Sequence, residues 1–251
     1  MGLHIRSLRS LMKGALRIVY PPQCMGCGET VGQTGALCPA CWRETDFIAG
    51  AACACCGTPL PGDGSFAEDV IHCDECLATP RPWLRGRAAM TYRGAGRKLV
   101  LMLKHGDRLD IAGALGDWLA DAATPLIMPR MVVAPVPLHL RRLFHRRYNQ
   151  AELLAGRVAR QHGLDLMPGL LQRHRHTPPQ DHRGAVERFA NLQGSIRVRP
   201  ALVPLIAGRP VLLVDDVMAS GATLGTCAQA LLDAGSGPVR VAVLARAVKD
   251  P

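Results

Sequence analysis

Val211-Leu212-Leu213-Val214-Asp215-Asp216-Val217-Met218-Ala219-Ser220-Gly221-Ala222-Thr223 is the stretch on which the reading of this chain turns. Its four leading branched apolar residues, bounded by Pro210 and an acidic pair, read as a strand buried on both faces of a parallel sheet. A run of small residues follows, and then residues 224–234 with helical spacing. A strand, a small-residue loop and a helix start bring unpaired backbone N–H groups and the positive end of a helix dipole to one point, which makes a phosphate cradle. Gly221 lets the backbone approach the anion, Ala219 and Ala222 keep the loop small, and the Ser220 and Thr223 hydroxyls add donors. Asp215 and Asp216, at the carboxyl end of the strand, suit the hydroxyls of a phosphorylated ribose. No Gly-Lys-Ser/Thr is present, so this is not the loop of a nucleotide triphosphatase.

Outward from this stretch the pattern is that of an α/β sheet with helices on both faces. Residues 131–137, Met-Val-Val-Ala-Pro-Val-Pro, form a second buried strand ending in a proline turn. Residues 88–92, 195–198 and 239–244 supply further strands, and 97–104, 111–122 and about 150–162 have helical spacing. Just past the second strand lie Arg141, Arg142, Arg146 and Arg147 with His139 and His145. In an open α/β sheet ligands bind at that edge, and arginine forks suit phosphate oxygens. Residues 173–191 carry Arg173, Arg175, Thr177, Gln180, Arg183, Arg188 and Asn191 around Pro178-Pro179, a segment too polar for core that reads as a mobile active-site hood. The competing reading of both arginine segments is a solvated basic face.

Nine of the ten cysteines fall before residue 77. Cys24-x-x-Cys27, Cys38-x-x-Cys41, Cys53-x-x-Cys56 and Cys73-x-x-Cys76 supply eight thiolates, enough for two tetrahedral four-cysteine zinc sites, with sequential or interleaved pairing both open. A disulfide scaffold is the alternative, and the lack of an export signal argues against it. Gly26, Gly28 and Gly57 sit where knuckle turns need room, while Cys55 and His72 read as bystanders and Cys227 as a core residue. Residues 1–20 carry Arg6, Arg9, Lys13 and Arg17 on a basic amphipathic helix whose apolar face suits docking on the zinc module, with a membrane surface as the weaker fit. The formal charge of +10 favours phosphates, pyrophosphate or nucleic acid as partners, and no apolar run reaches transmembrane length.

The thirteen residues 211–223 resemble the signature by which type I phosphoribosyltransferases bind phosphoribosyl pyrophosphate (PRPP). The whole chain from about residue 20 to 246 is similar to the ComF/GntX family: Pro21-Pro22 before Cys24-x-x-Cys27-Gly28, the paired knuckles, Pro135-Val136-Pro137-Leu138 with Arg141-Arg142, Tyr148-Asn149-Gln150, Thr177-x-x-Gln180, Arg188-x-x-Asn191 and the PRPP motif. The resemblance implies a small double zinc-ribbon module (residues 21–82, after the helix 1–20) preceding a type I phosphoribosyltransferase-like domain (residues 83–251). It implies Asp215 and Asp216 on the ribose hydroxyls with Mg²⁺, and residues Ala219, Ser220, Gly221, Ala222 and Thr223 around the 5′-phosphate. Arg141 and Arg142 would stabilise the departing pyrophosphate in a pentosyl transfer. Better-known members serve DNA uptake during competence, so single-stranded DNA and proteins of the uptake machinery are expected partners, and the cytoplasm the expected compartment. A non-catalytic DNA- or partner-binding protein is the other reading. Two departures stand out. Ala219 occupies the position of an acid in purine-using members, which argues against purine salvage, and Met218-Ala219-Ser220 replaces a more threonine-rich loop.

Overall fold

A computed structural model describes residues 20–62, 71–105, 108–138, 148–173 and 195–248. The amphipathic segment 1–19, Arg141 and Arg142 within 139–147, and the hood from residue 174 to 194 lie outside the described residues.

Two short helices, α1 (Pro39–Glu44) and α2 (Asp74–Ala78), belong to the cysteine-rich part. They are followed by β1 (Arg85–Thr91), α3 (Gly94–His105), α4 (Ala112–Ala123), β2 (Val132–Pro135) and α5 (Gln150–His162). Then come β3 (Asp165–Leu166), β4 (Leu171–Arg173), β5 (Ile196–Val198), α6 (Val203–Ile206), β6 (Val211–Met218), α7 (Ala222–Asp233) and β7 (Val239–Arg246). Five strands form one sheet in the order β1-β7-β6-β2-β3, every neighbouring pair parallel. The strand expected at residues 195–198 does form, as β5, but it pairs antiparallel with β4 outside the main sheet; β4, only three residues long, is not announced by the apolar pattern.

Parallel strands covered on both faces need apolar residues at successive positions, which is why β6 begins Val-Leu-Leu-Val without alternation. The pleat then sends alternate residues to opposite layers. Val133, Leu212, Val214, Ala242 and Leu244 pack with α3, α4 and α5, whereas Val132, Ala134, Leu213, Val241 and Val243 pack with α7 and the β4–β5 pair. On α4, buried Ala112, Leu115, Gly116, Leu119, Ala120 and Ala123 follow helical spacing and form the stripe against the sheet and α5. Gly116 allows the close approach, because a Cβ there would lie 2.6 Å from the Arg157 side chain, which itself pairs with Asp117. At its start, α5 is capped by the Asn149 side chain, which accepts from Ala151 N; at its end Gly163 adopts the left-handed conformation (φ 63°).

The acidic pair belongs to β6 itself, which runs four residues past the apolar run. β7 keeps pairing as far as Met218 opposite Arg246, while β2 stops at Pro135 opposite Val214. The last ladder bond runs from Val136 N to Val214 O; beyond it the Val136 carbonyl accepts from the Asn149 amide and Asp216 N donates to the Asp215 carboxylate, so the ladder on that side does not continue. Beyond Val214 the β2 side of β6 therefore opens into a crevice. The chain leaves β2 for one edge of the sheet and β6 for the other, so this crevice lies at the topological switch point.

The cysteine-rich part closes the free edge of β1. Residues 46–54 supply the missing backbone partners: Ile48 N donates to Ala89 O, Thr91 N to Asp46 O and Gly86 N to Ala54 O. Phe47 and Leu37 pack into the layer of α3 and α4, and Cys53, Cys56 and Cys76 into that of α7. An exposed sheet edge is thereby converted into a seat for the zinc ribbons.

Candidate functional site

The eight knuckle cysteines gather into two groups, Cys24, Cys27, Cys38 and Cys41, and Cys53, Cys56, Cys73 and Cys76, with sulfurs within 4.8 Å of one another in each. Pairing is thus sequential. Cys55 and the exposed His72 stand outside both groups. The two halves repeat one local design: Gly28 N donates to Cys24 O and Gly57 N to Cys53 O, and each following turn closes with an isolated bridge, Gln23 to Thr30 and Ala52 to Pro59. Cys38 N donates to the Cys24 sulfur at 3.2 Å and Cys73 N to the Cys53 sulfur at 3.3 Å, which favours thiolates. Four converging thiols, N–H···S bonds and no competing carboxylate in the group fit structural zinc. Gly26 shows how close the sulfurs come, since a Cβ there would lie 2.9 Å from the Cys41 sulfur. The first site is open at exposed Cys27, whereas Cys53 and Cys56 of the second are fully buried.

At the switch point lies a cleft of about 140 Å³ lined by, among others, Lys104, Asn149, Gln150, Asp215, Asp216 and Thr223. Three neighbouring elements are stitched together by one tripeptide. The Tyr148 hydroxyl donates to Leu103 O at 2.9 Å, the Asn149 amide donates to Val136 O at 3.2 Å, and Gln150 turns into the cleft. Gln150 is 1% exposed, and neither its amide oxygen nor its nitrogen has a hydrogen-bond partner among the described residues. Buried polar groups are ordinarily satisfied, so an orphan aimed into a cleft marks a place for a polar ligand.

Asp216 pairs with the Lys104 ammonium at 3.0 Å. Asp215 accepts from Asp216 N, yet burial, and next the Asp216 carboxylate beside it, push its carboxyl up to about 8. Two crowded carboxyl groups, one of them driven toward its neutral form by burial and its neighbour's charge, would both be held ionised by a cation placed between them. The donor set of two carboxylates fits Mg²⁺ and a sugar diol together. Lys104 escaped the reading of the sequence; the one signal for it was a basic residue closing an amphipathic helix.

The turn after β6 also has the required form. Gly221 is left-handed (φ 76°) and precedes α7, whose first amides are left without intrahelical partners. The Ser220 hydroxyl accepts from Ala222 N at 3.4 Å, so it braces the turn while its own proton stays free to donate. Thr223 lines the cleft, Ala219 offers only its backbone, and Cys227 is a fully buried core residue of α7. Asp215, Asp216 and Thr223 share one cleft.

Residues 15–78 match the double zinc ribbon domain family, and residues 150–250 match the phosphoribosyl transferase domain family. The DNA utilization protein YhgH of Salmonella typhimurium is 32% identical over 229 residues, covering 89% of each chain. That of Escherichia coli K12 is 32% identical over 216 residues, covering 84% of this chain and 90% of the relative. Competence protein F of Haemophilus influenzae is 28% identical over 234 residues, covering 90% of this chain and 97% of that one. With zinc ribbons ahead of a phosphoribosyltransferase-type sheet, and such relatives matched along nearly their whole length, this chain belongs to the ComF/GntX family.

Proposed function

We propose that this protein binds PRPP with Mg²⁺ in the cleft at the end of β6 and transfers, or once transferred, its ribosyl group within the use of taken-up DNA or nucleotide metabolism. The observation that carries this reading is the adjacent half-buried Asp215 and buried Asp216 beside the left-handed turn at Gly221 and the start of α7. Ribose hydroxyls would donate to the two carboxylates, Mg²⁺ would neutralise them and the pyrophosphate, and the 5′-phosphate would meet the amides and hydroxyls of residues 219–223. Arg141 and Arg142 would take the charge that grows on pyrophosphate as the bond from C1 of the ribose to its oxygen breaks. Lys104 holds the Asp216 carboxylate in place. Among the described residues lining the cleft, no third carboxylate takes the place of the acid that Ala219 lacks, so an acceptor needing proton transfer from the loop is disfavoured.

Each ribbon would hold one zinc ion, and reduced thiols of this kind suit the cytoplasm. No helix among the described residues is long and apolar enough to cross a membrane. One observation favours the DNA-binding reading: Trp42, Phe47 and Trp118 cluster with centroids 4.6 and 4.9 Å apart, and Trp42 is 53% exposed, a ready stacking surface on a chain of formal charge +10.

Titration calorimetry with PRPP and Mg²⁺ tests the main reading, with binding expected for the wild type and lost in the double variant Asp215→Asn, Asp216→Asn. Equal affinity in both would refute the roles given to the pair. Labelled single-stranded DNA titrated with PRPP separates the second reading: competition is expected if the arginines past β2 serve both anions, and undiminished DNA binding at saturating PRPP would make it a two-site protein.

A further inference from the structure

The turn from Met218 to Gly221 is gripped from behind by two arginines, and both arginines are gripped by one carboxylate inside the second zinc ribbon. Arg246, its side chain 3% exposed, donates through Nη1 to Met218 O at 3.1 Å and to Ala219 O at 2.6 Å. Arg81, 9% exposed, donates through Nη1 to Ser220 O at 2.7 Å. Their other guanidinium nitrogens meet on Glu75, Arg81 at Oε1 (2.9 Å) and Arg246 at Oε2 (3.1 Å). Glu75 lies between the cysteines Cys73 and Cys76 on α2, a helix too short to hold itself without the metal its flanking thiols bind. Trp83 completes the arrangement. Its indole donates to Cys55 O at 2.8 Å, Arg81 stacks 5.7 Å from its ring centroid, and a Cβ on Gly221 would come within 3.2 Å of the ring.

We propose that Glu75, Arg81 and Arg246 are positioning residues that couple the second zinc ribbon to the anion-binding turn, so that the ribbon's folded state sets the turn's grip on phosphate. In a trans peptide the carbonyl and the following N–H point in opposite directions, and no cis bond occurs among the described residues. Fixing the carbonyls of Met218, Ala219 and Ser220 toward the arginines therefore turns the N–H groups of Ala219, Ser220 and Gly221 the other way, as a concave nest that suits an anion. A turn of small residues, lacking side chains to hold itself, would otherwise sample many shapes and lose entropy on closing over a phosphate. The clamp performs that ordering in advance. Glu75 is the keystone, because without its charge two buried guanidinium groups face each other uncompensated.

The inference rests on the reading of residues 218–223 as the anion-binding turn. Hydrogen–deuterium exchange of the turn in the intact zinc-loaded chain reads its order without any ligand, and PRPP–Mg²⁺ titration reads its grip. Glu75→Gln keeps the shape and every zinc ligand, so two zinc ions per chain should remain while exchange at residues 219–221 quickens about tenfold and PRPP affinity falls about tenfold, the effect of losing one charged hydrogen bond. Arg81→Lys, which keeps the charge but loses the fork, should move both readouts in the same direction, and it decides the matter if Glu75→Gln fails to fold. Asp74→Asn, on the same helix but outside the clamp, should behave as wild type. Wild-type exchange rates in both clamp variants would overturn the proposal, as would faster exchange with unchanged PRPP affinity. A wild type that binds no PRPP while both variants still loosen the turn would remove the ligand reading and leave the clamp standing.

Discussion

Gly28 and Gly57 follow the first CxxC of each ribbon and share a left-handed backbone, with φ of 83° and 71°, yet their surroundings differ. A Cβ on Gly28 meets nothing within 4 Å. One on Gly57 would lie 2.7 Å from Ala88 N and 2.9 Å from Arg87 C, backbone atoms of β1 that cannot rotate away. Gly28→Ala therefore carries only the left-handed penalty, about 1–2 kcal/mol. Gly57→Ala adds the displacement of an edge strand or of the ribbon, roughly a further 1–3 kcal/mol by analogy with overpacked cores. For a chain of this size each kcal/mol moves Tm by about 2–4 °C. Gly57→Ala should thus melt roughly 2–12 °C below Gly28→Ala, and should release metal from the second site faster to a competing chelator. The assay is thermal unfolding of the zinc-loaded variants followed by chelator-driven release with a chromophoric zinc indicator. Equal melting shifts in the two variants would refute the seating of the second ribbon on β1.

Elemental analysis should give two zinc ions per chain, and clearly fewer in folded protein, or disulfides instead, would overturn the assignment of two four-thiolate sites. Chelator should empty the site with exposed Cys27 before the one holding buried Cys53 and Cys56, giving two release phases. Because the folded-state Asp215 carboxyl, at about 8, lies above its ordinary value of 3.8, the folded protein holds its proton more tightly than the unfolded chain. Its stabilising contribution is complete below the unfolded value and is lost as pH rises through about 8. Melting temperatures between about pH 5 and pH 8 should therefore fall less steeply with pH for Asp215→Asn than for wild type, and the variant should be the more stable of the two at the upper end. Parallel curves would show that folding does not raise the Asp215 carboxyl as described.

Short-range chemistry was written plainly in the chain. Four CxxC pairs declare thiolate sites because two sulfurs three residues apart can reach one metal whatever the rest of the fold does. An uninterrupted apolar run, an acidic pair and a small-residue turn declare a strand-loop-helix phosphate site for the same reason, that each piece is fixed by its neighbours in sequence. The order of the knuckles was open, since both pairings satisfy the spacing; folding decided it by building each ribbon from adjacent segments. Nor did the pattern reveal that β6 carries its acids as strand residues, because that depends on where β7 continues and β2 stops. The contacts that finish the site join residues far apart: Arg81 with Ser220 across 139 positions, Arg246 with Glu75 across 171, and Lys104 on α3 with Asp216 on β6. An arginine that braces a loop and an arginine that faces water look alike in a sequence. Only burial of the guanidinium, which makes every hydrogen bond it forms obligatory, separates them.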